Sequence, residues 1–234
     1  MKVRIKRQAS PVAEPYWETF IYQGPADNTV AGLLDDLNYR DDIVNEKGEA
    51  VPRISWECSC LQGMCGSCAM VINGTPALAC ETFLRDLKGD VITIEPLRKF
   101  TVISDLVTDR GVIAENLKTA GAYIRHFAPS TGKEYNHQYT AAKCLKCGLC
   151  LEVCPNYIRG KQFFGAAFAN DCYLIASRNR DAKAAIHKAY DTHFATGCSK
   201  ALSCMEVCPM HIPTIASIAK MNRAFSAPKQ KETP

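Results

Sequence analysis

No long hydrophobic run occurs in this chain of 234 residues. No apolar stretch approaches the ~18 residues that a membrane-spanning helix needs, so no span is predicted. Residues 1–10 alternate apolar and basic side chains without an apolar core, which predicts a strand and gives no sign of export. No block of five like charges and no nucleic-acid-binding motif occurs, so the net charge of +4 does not indicate a nucleic-acid partner.

The cysteines do not fit a disulfide scaffold. The chain contains 13 of them, an odd number, and they are clustered along the sequence. Disulfide scaffolds are typical of short secreted proteins. Clustered cysteines without an export signal instead indicate metal or cluster ligation in a reducing compartment.

One group of cysteines has the spacing of a plant-type [2Fe–2S] centre, C-x4-C-x2-C…C. Its members are Cys60, Cys65, Cys68 and Cys80. Gly63 and Gly66 permit a tight loop whose backbone N–H groups can point at the sulfurs. Zinc can also use four cysteines, but this spacing with interleaved glycines is unusual for it. Cys58 is left over and is interpreted as a thiol with no ligand role.

A second group has the bacterial ferredoxin run C-x2-C-x2-C-x3-C-P. The run consists of Cys144, Cys147, Cys150, Cys154 and Pro155. The first three thiolates of such a run hold one cluster and the fourth reaches across to another, so a partner run is expected. Residues 198–209 provide it, with Cys198, Ala201, Cys204 and Cys208 at the four positions.

The alanine in the partner run decides which clusters are predicted. Cross-over pairing assigns Cys144, Cys147, Cys150 and Cys208 to a [4Fe–4S] site, and Cys154, Cys198 and Cys204 to the other site. Since Ala201 has no donor atom, three thiolates remain there and a [3Fe–4S] cluster is predicted. The alternatives are a four-iron cluster with an external ligand, or a distant cysteine as fourth ligand. Cys172 is the nearby spare and is interpreted as a core thiol.

The pattern of the chain predicts an α+β protein of two domains, residues 1–100 and 101–234. In the first, strands are expected over 2–9, 16–22 and 91–96, a helix over 29–39, and a hairpin turn at Asn73-Gly74. In the second, helices are expected at about 103–127, 140–152, 166–178, 181–195 and 212–225. A loop is expected around 129–132, and a frayed tail after Ser226.

With these motifs in this order, the chain resembles the iron–sulfur subunit of succinate dehydrogenase and fumarate reductase. The resemblance spans the [2Fe–2S] loop 60–80, the run 144–155 and the run 198–209 with its non-cysteine second position. It implies an N-terminal β-grasp, plant-ferredoxin-like domain and a C-terminal all-α, bacterial-ferredoxin-like domain. It also implies a flavoprotein partner with FAD, where succinate and fumarate are interconverted, and a membrane anchor with a quinone site. The complex would lie on the cytoplasmic side of the cell membrane.

Two positions depart from many succinate dehydrogenases, which carry tryptophan and histidine near the quinone. Ile158-Arg159 and Ser199 stand there in this chain, so no quinone-binding residue is assigned. This difference favours fumarate reductases, some of which use an anchor of cytochrome b type with haem. The five histidines are scattered, and no catalytic residue is assigned to this chain.

Three other readings remain open at this point. A free-standing multi-cluster electron carrier would be a stable monomer. A zinc-binding structural module would be colourless and free of sulfide. A subunit of a thiol-linked fumarate reductase or heterodisulfide reductase would often carry a further cysteine-rich C-terminal domain, for which residues up to Pro234 leave no room.

Overall fold

The computed structural model describes residues 1–121, 132–179 and 181–226. It contains two compact units, one of Met1–Gly111 with Leu145–Val153 and one of Val112–Cys144 with Cys154–Pro234. The first unit thus extends beyond residue 100 and includes part of the first ferredoxin run. The domain boundary that the sequence pattern places near residue 100 stays a prediction. The expected loop at 129–131 and the tail after Ser226 lie outside the described residues.

Strands predominate up to residue 109, and only helices follow in the described part of the chain. The strands are β1 (Lys2–Arg7), β2 (Tyr16–Ile21), β3 (Ala69–Ile72), β4 (Thr75–Leu78), β5 (Val91–Glu95), β6 (Thr101–Ser104) and β7 (Val107–Asp109). The α-helices are α1 (Val30–Asn38), α2 (Gly111–Thr119), α3 (Tyr135–Ala142), α4 (Leu149–Val153), α5 (Gly165–Arg178), α6 (Lys183–Tyr190), α7 (Ser203–Glu206) and α8 (Thr214–Ser226). Single turns of 3₁₀-helix cover Ala79–Glu81, Leu84–Asp86 and Gly132–Glu134, and a π-helical turn covers Asp191–Ala195.

The first unit is built on a five-stranded sheet in the order β2-β1-β5-β3-β4. β1 and β5 run parallel, whereas the other neighbouring strands are antiparallel. The turn between β3 and β4 has left-handed backbone at both Asn73 (φ 46°) and Gly74 (φ 80°), which is the conformation that an Asn-Gly hairpin turn requires. The predicted hairpins and the predicted β-grasp sheet are therefore confirmed.

Helix α1 contributes a buried apolar face to this unit's core. Thr29 caps it by accepting a hydrogen bond from the amide of Gly32 at 3.1 Å, which satisfies one of the free N–H groups of the first turn. Its apolar residues recur at helical spacing, and the buried ones are Val30, Ala31, Leu33, Leu34 and Leu37. The predicted helix over 29–39 is confirmed to within one residue at each end.

The predicted helix over 103–127 is wrong in its first part, because residues 101–109 form the β6–β7 hairpin. Asp105 makes its turn with left-handed backbone (φ 45°). The Asp105 carboxylate accepts from the amides of Gln8 and Ser55, both at 2.9 Å, and pairs with Arg7 at 3.1 Å. These long-range contacts outweigh the local helical pattern. α2 begins only at Gly111, and residues 122–127 lie outside the described ranges.

The second unit is helical among its described residues and has its own core. Helices α5, α6 and α8 contribute buried side chains that include Phe168, Cys172, Tyr190 and Met221. The helices predicted over 166–178, 181–195 and 212–225 are confirmed by α5, by α6 with its π-helical turn, and by α8. Within the ranges described, no helix has both the length and the hydrophobicity that crossing a membrane requires.

The helix predicted over 140–152 is wrong as one continuous helix, although both of its ends are helical. α3 ends at Ala142, and a non-helical segment carries the first ferredoxin cysteines before α4 begins at Leu149. Lys146 and Gly148 both have left-handed backbone in that segment, which a continuous α-helix does not allow. The short helix α7, which holds Cys204, was not predicted because four residues are too few for a periodic signal.

Candidate iron–sulfur centres

The four predicted [2Fe–2S] ligands lie close together in the first unit. The loop of residues 60–68 precedes β3, and Cys80 lies in the 3₁₀ turn after β4. The amide of Ala79 donates to the carbonyl of Cys68 at 3.0 Å, which joins the two segments. The amide of Gly63 also donates to Cys80 Sγ, so the loop and the turn meet at a predicted ligand. A [2Fe–2S] cluster needs four thiolates, two at each iron, and the two segments together contain four cysteines.

Backbone amides of this loop point at the thiol sulfurs. Cys60 Sγ accepts hydrogen bonds from the amides of Gln62 at 3.4 Å and Met64 at 3.3 Å. Cys80 Sγ accepts from the amide of Gly63 at 3.3 Å. Cys65 Sγ accepts from the amide of Ser67 at 3.5 Å. The inward turn of these amides depends on left-handed backbone at Leu61, Gly63 and Gly66. A concave set of N–H groups favours bound negative charge, so the loop fits an anionic iron–sulfur cluster.

Hydrogen bonds and burial shift the pKa values of the loop's thiols in opposite directions. Hydrogen bonds, the strongest from the backbone of Cys60, lower the pKa of the Cys65 thiol to about 6. Burial raises the pKa of the Cys68 thiol to about 12. Because a ligand must be deprotonated, Cys65 is ready to bind iron at neutral pH, whereas Cys68 must lose its proton on binding. Desolvation, followed by the charge of Asp35, raises the pKa of the exposed Cys58 thiol.

The three predicted [3Fe–4S] ligands, Cys154, Cys198 and Cys204, all belong to the second unit. Burial, followed by the charges of Cys154 and Cys198, raises the pKa of the Cys204 thiol to about 11. Their assignment to one cluster stays a prediction.

Asn156 joins the two segments that carry these cysteines. Its side-chain amide donates to the carbonyl of Gly197, and its Oδ1 accepts from the hydroxyl of Ser199 at 3.3 Å. Gly197 leaves no room for a side chain, since a Cβ there would lie 2.3 Å from the ring of Phe163. Asn156 belongs to no cysteine spacing pattern, so sequence reasoning had no signal for it.

The two ferredoxin runs share their backbone conformation around the second position. In the first run, Lys146 (φ 55°) and Gly148 (φ 88°) flank Cys147 with left-handed backbone. In the second run, Lys200 (φ 60°) and Leu202 (φ 63°) flank Ala201 in the same way. Left-handed backbone costs a residue such as leucine about 1 kcal/mol, so this geometry is maintained against a local preference.

The four predicted [4Fe–4S] ligands are divided between the units. Cys147 and Cys150 belong to the first, and Cys144 and Cys208 to the second, where both pack against the helical core. The assignment of these four residues to one cluster stays a prediction. Cys172 is fully buried in the same core, as its interpretation as a core thiol requires, and burial raises its pKa.

In the described part of the chain, no three side chains of His, Cys, Asp or Glu type converge on a position that could hold a single metal ion. A structural zinc site needs four ligands within about 2.3 Å of one ion.

Comparison with known proteins gives matches along nearly the whole chain. Residues 2–115 match the family model of a 2Fe-2S iron-sulfur cluster binding domain, and residues 140–212 that of a 4Fe-4S dicluster domain. The succinate dehydrogenase iron-sulfur subunit of Bacillus subtilis is 32% identical over 238 residues, which cover 94% of this chain and 90% of the relative. The fumarate reductase iron-sulfur subunit of Haemophilus influenzae is 33% identical over 226 residues, covering 88% and 84%.

A solved structure agrees with these relatives. A chain of the Mycobacterium smegmatis Sdh1 complex in the apo form superposes with a TM-score of 0.72 at 25% identity. The match covers 97% of this chain and 98% of that one. The similarity therefore includes both the sheet-containing N-terminal part and the helical C-terminal part.

Proposed function

The chain belongs to the family of iron–sulfur subunits of succinate dehydrogenase and fumarate reductase, and from this we propose that it relays electrons between a membrane anchor and the FAD of a flavoprotein subunit. The proposed physiological direction is fumarate reduction, with electrons supplied by quinol in the anchor, directly or through haem b. Succinate and fumarate would bind the flavoprotein, and no catalytic residue is assigned to this chain.

The proposal assigns a cluster to each group of cysteines. Cys60, Cys65, Cys68 and Cys80 would hold [2Fe–2S]; Cys144, Cys147, Cys150 and Cys208 would hold [4Fe–4S]; Cys154, Cys198 and Cys204 would hold [3Fe–4S]. When bound, these clusters supply one-electron carriers whose potentials depend on ligands, hydrogen bonds and nearby charge. The protein positions the thiols, directs amide N–H groups at the sulfurs of the first group, and partly buries the cysteines of the other two.

One observation carries the three-iron assignment. The second ferredoxin run has the same left-handed residues around its second position as the first run, although Ala201 replaces the cysteine. A loop that had lost its cluster would have no reason to hold Leu202 in a conformation that costs about 1 kcal/mol. The geometry supports a bound cluster with one iron fewer, rather than no cluster.

The residues beside the proposed [3Fe–4S] ligands differ from those found near the quinone in many succinate dehydrogenases. Ile158 is 60% exposed, and Ser199 donates to Asn156. Neither provides the tryptophan or histidine found there in those enzymes, which supports a quinone site built by the anchor. We propose peripheral attachment on the cytoplasmic side of the cell membrane through these partners.

The proposal is tested on the complex purified through a tag on this chain. A flavoprotein with FAD and a membrane subunit should co-purify, and an EPR-monitored redox titration should show three cluster signals, one of them a three-iron signal in the oxidised protein. A colourless monomer without acid-labile sulfide would contradict the whole proposal. A complex without the three-iron signal would contradict the Ala201 argument alone.

Succinate oxidation is the second candidate for the physiological direction. It is favoured by the similarity to the Bacillus subtilis relative and to the Sdh1 complex, both named for succinate dehydrogenase. The ratio of succinate:quinone to quinol:fumarate activity in the same preparation distinguishes the two. Faster fumarate reduction with a low-potential quinol supports the first direction, and faster succinate oxidation supports the second.

A further inference from the structure

Arg110 lies among backbone segments that carry ligands of two different proposed clusters. Its guanidinium donates to the carbonyls of Gly66 at 2.7 Å and Ser67 at 3.2 Å, both in the [2Fe–2S] loop. It also donates to the carbonyl of Cys147 at 3.4 Å, in the [4Fe–4S] run. All of these residues belong to the first unit. One side chain thus ties the two cluster-bearing segments together.

The two segments touch directly beside this guanidinium. A Cβ atom on Gly66 would lie 2.7 Å from Cys147 Cβ and 3.1 Å from Leu145 Cβ, closer than side chains normally approach. Gly66 also has a φ of +77°, which glycine adopts without strain. The glycine therefore lets the loop between two [2Fe–2S] ligands pack directly on a [4Fe–4S] ligand.

A carboxylate completes the environment of Arg110. Glu57 accepts from the guanidinium at 2.6 Å. The arginine side chain is 18% exposed and the glutamate side chain 43% exposed, so the pair reaches from the contact outward to solvent. Arginine suits this position because its planar, multi-donor group can hold several acceptors at once, which the point charge of lysine does less well.

We propose that Arg110 is a positioning residue that holds the [2Fe–2S] loop against Cys147 at Gly66, and that the Arg110–Glu57 pair sets the local charge at both clusters. The inference rests on the proposed function, because it assumes that both clusters are bound. Arg110 lies outside every cysteine motif, so the inference assigns a role in electron transfer between the two clusters to a residue that is not a cluster ligand.

The charge part of the proposal predicts shifts of opposite sign. Arg110→Gln leaves Glu57 as an uncompensated negative charge beside both loops, which disfavours the more negative, reduced clusters. Glu57→Gln leaves Arg110 uncompensated and favours reduction. At a fixed ambient potential, we expect the ratio of reduced to oxidised form to fall about tenfold in Arg110→Gln, both for the [2Fe–2S] and for the [4Fe–4S] cluster. The same ratio should rise severalfold in the second, where solvent screens the exposed partner more strongly.

The positioning part is tested by Arg110→Lys, which retains the charge but not the set of hydrogen bonds. Its two potentials should stay near those of the unmodified protein, while the magnetic interaction between the reduced [2Fe–2S] and [4Fe–4S] clusters weakens in the EPR spectrum. The matched control is Arg4→Gln, which removes the same charge from β1, where Arg4 is exposed and lies 5.0 Å from the ring centre of Trp17.

These measurements are made on the purified complex by EPR redox titration. Opposite shifts in Arg110→Gln and Glu57→Gln, absent in Arg4→Gln, together with weakened coupling in Arg110→Lys, support the proposal. Shifts of the same sign, shifts no larger than the control, or unchanged coupling in Arg110→Lys would overturn it. If Arg110→Gln does not assemble, the outward-lying Glu57→Gln still decides the charge argument. Absence of cluster signals from the unmodified complex would instead contradict the proposed function.

Discussion

The first and second ferredoxin runs have the same loop conformation but different ligand sets. Both have left-handed residues on either side of the second ligand position, at Lys146 and Gly148 in one run and Lys200 and Leu202 in the other. Only the first run has a thiol between them, at Cys147, whereas the second has Ala201. The two loops therefore share one backbone shape, whether the second position holds cysteine or alanine.

Packing explains why one run needs glycine where the other accepts leucine. A Cβ at Gly148 would lie 2.9 Å from the ring of Phe100 and 3.5 Å from Leu97, so a side chain has no space there. Leu202, at the matching position, is 44% exposed, so its side chain is only partly packed. A residue with a Cβ would carry the cost of left-handed backbone at either position, but only at Gly148 would it also clash with its surroundings.

The largest expected effect comes from making the first run like the second. In Cys147→Ala, one iron of the proposed [4Fe–4S] site loses its protein ligand, so the reduced-state four-iron EPR signal should disappear and a second three-iron signal should replace it. Cys58→Ala, which removes an exposed thiol with no assigned ligand role, should leave all cluster signals unchanged. A four-iron signal of normal intensity in Cys147→Ala would contradict the ligand assignment.

The reciprocal change makes the second run like the first. Ala201→Cys supplies the missing thiolate within a loop that already has the required backbone, so the three-iron signal of the oxidised protein should be lost. Iron analysis should find an additional iron per chain. Ala184→Cys, at an exposed position of α6, is the matched control and should retain the three-iron signal. Retention of that signal in Ala201→Cys would show that the two loops are not equivalent.

A smaller effect is expected from adding one methyl group to the first run. Gly148→Ala forces left-handed backbone on alanine and brings its Cβ against Phe100, which should destabilise the protein by about 2 kcal/mol. Gly89→Ala separates the two causes, because Gly89 also has positive φ but no atom within 4 Å of the added Cβ. Thermal unfolding of the complex measures both variants. Equal losses of stability would show that packing against Phe100 is unimportant.

The smallest effect is expected from removing the cost of left-handed backbone at Leu202 in the second run. Leu202→Gly removes the cost of left-handed backbone. It also removes some apolar contact, and glycine loses more conformational freedom on folding than leucine. Stability should therefore rise by only about 0.5 kcal/mol. Leu61→Gly in the [2Fe–2S] loop is a close match, since Leu61 has φ 53° and is 45% exposed. A clear loss of stability in Leu202→Gly alone would mean that its side chain makes a specific contact.

Helices and strands with strong local signals were predictable from sequence. Asn73-Gly74 marks a hairpin turn because both residues tolerate left-handed backbone, and Thr29 marks a helix start because its hydroxyl can accept from the first turn. The β6–β7 hairpin was mistaken for helix, because its turn is held by contacts of Asp105 with Gln8 and Ser55, far away in sequence. No local pattern contains that information.

The sequence by itself determined the family, the cysteine groups and the absence of a thiol at Ala201, since ligand identity and spacing are properties of the chain order. Only the tertiary structure decided which amides point at the thiols and which residues hold the loops. Asn156 and Arg110 are clear examples, because each bonds to backbone groups of segments distant in sequence. Carbonyl and amide groups occur at every residue, so their partners become identifiable only when the folded backbone brings them within hydrogen-bond distance.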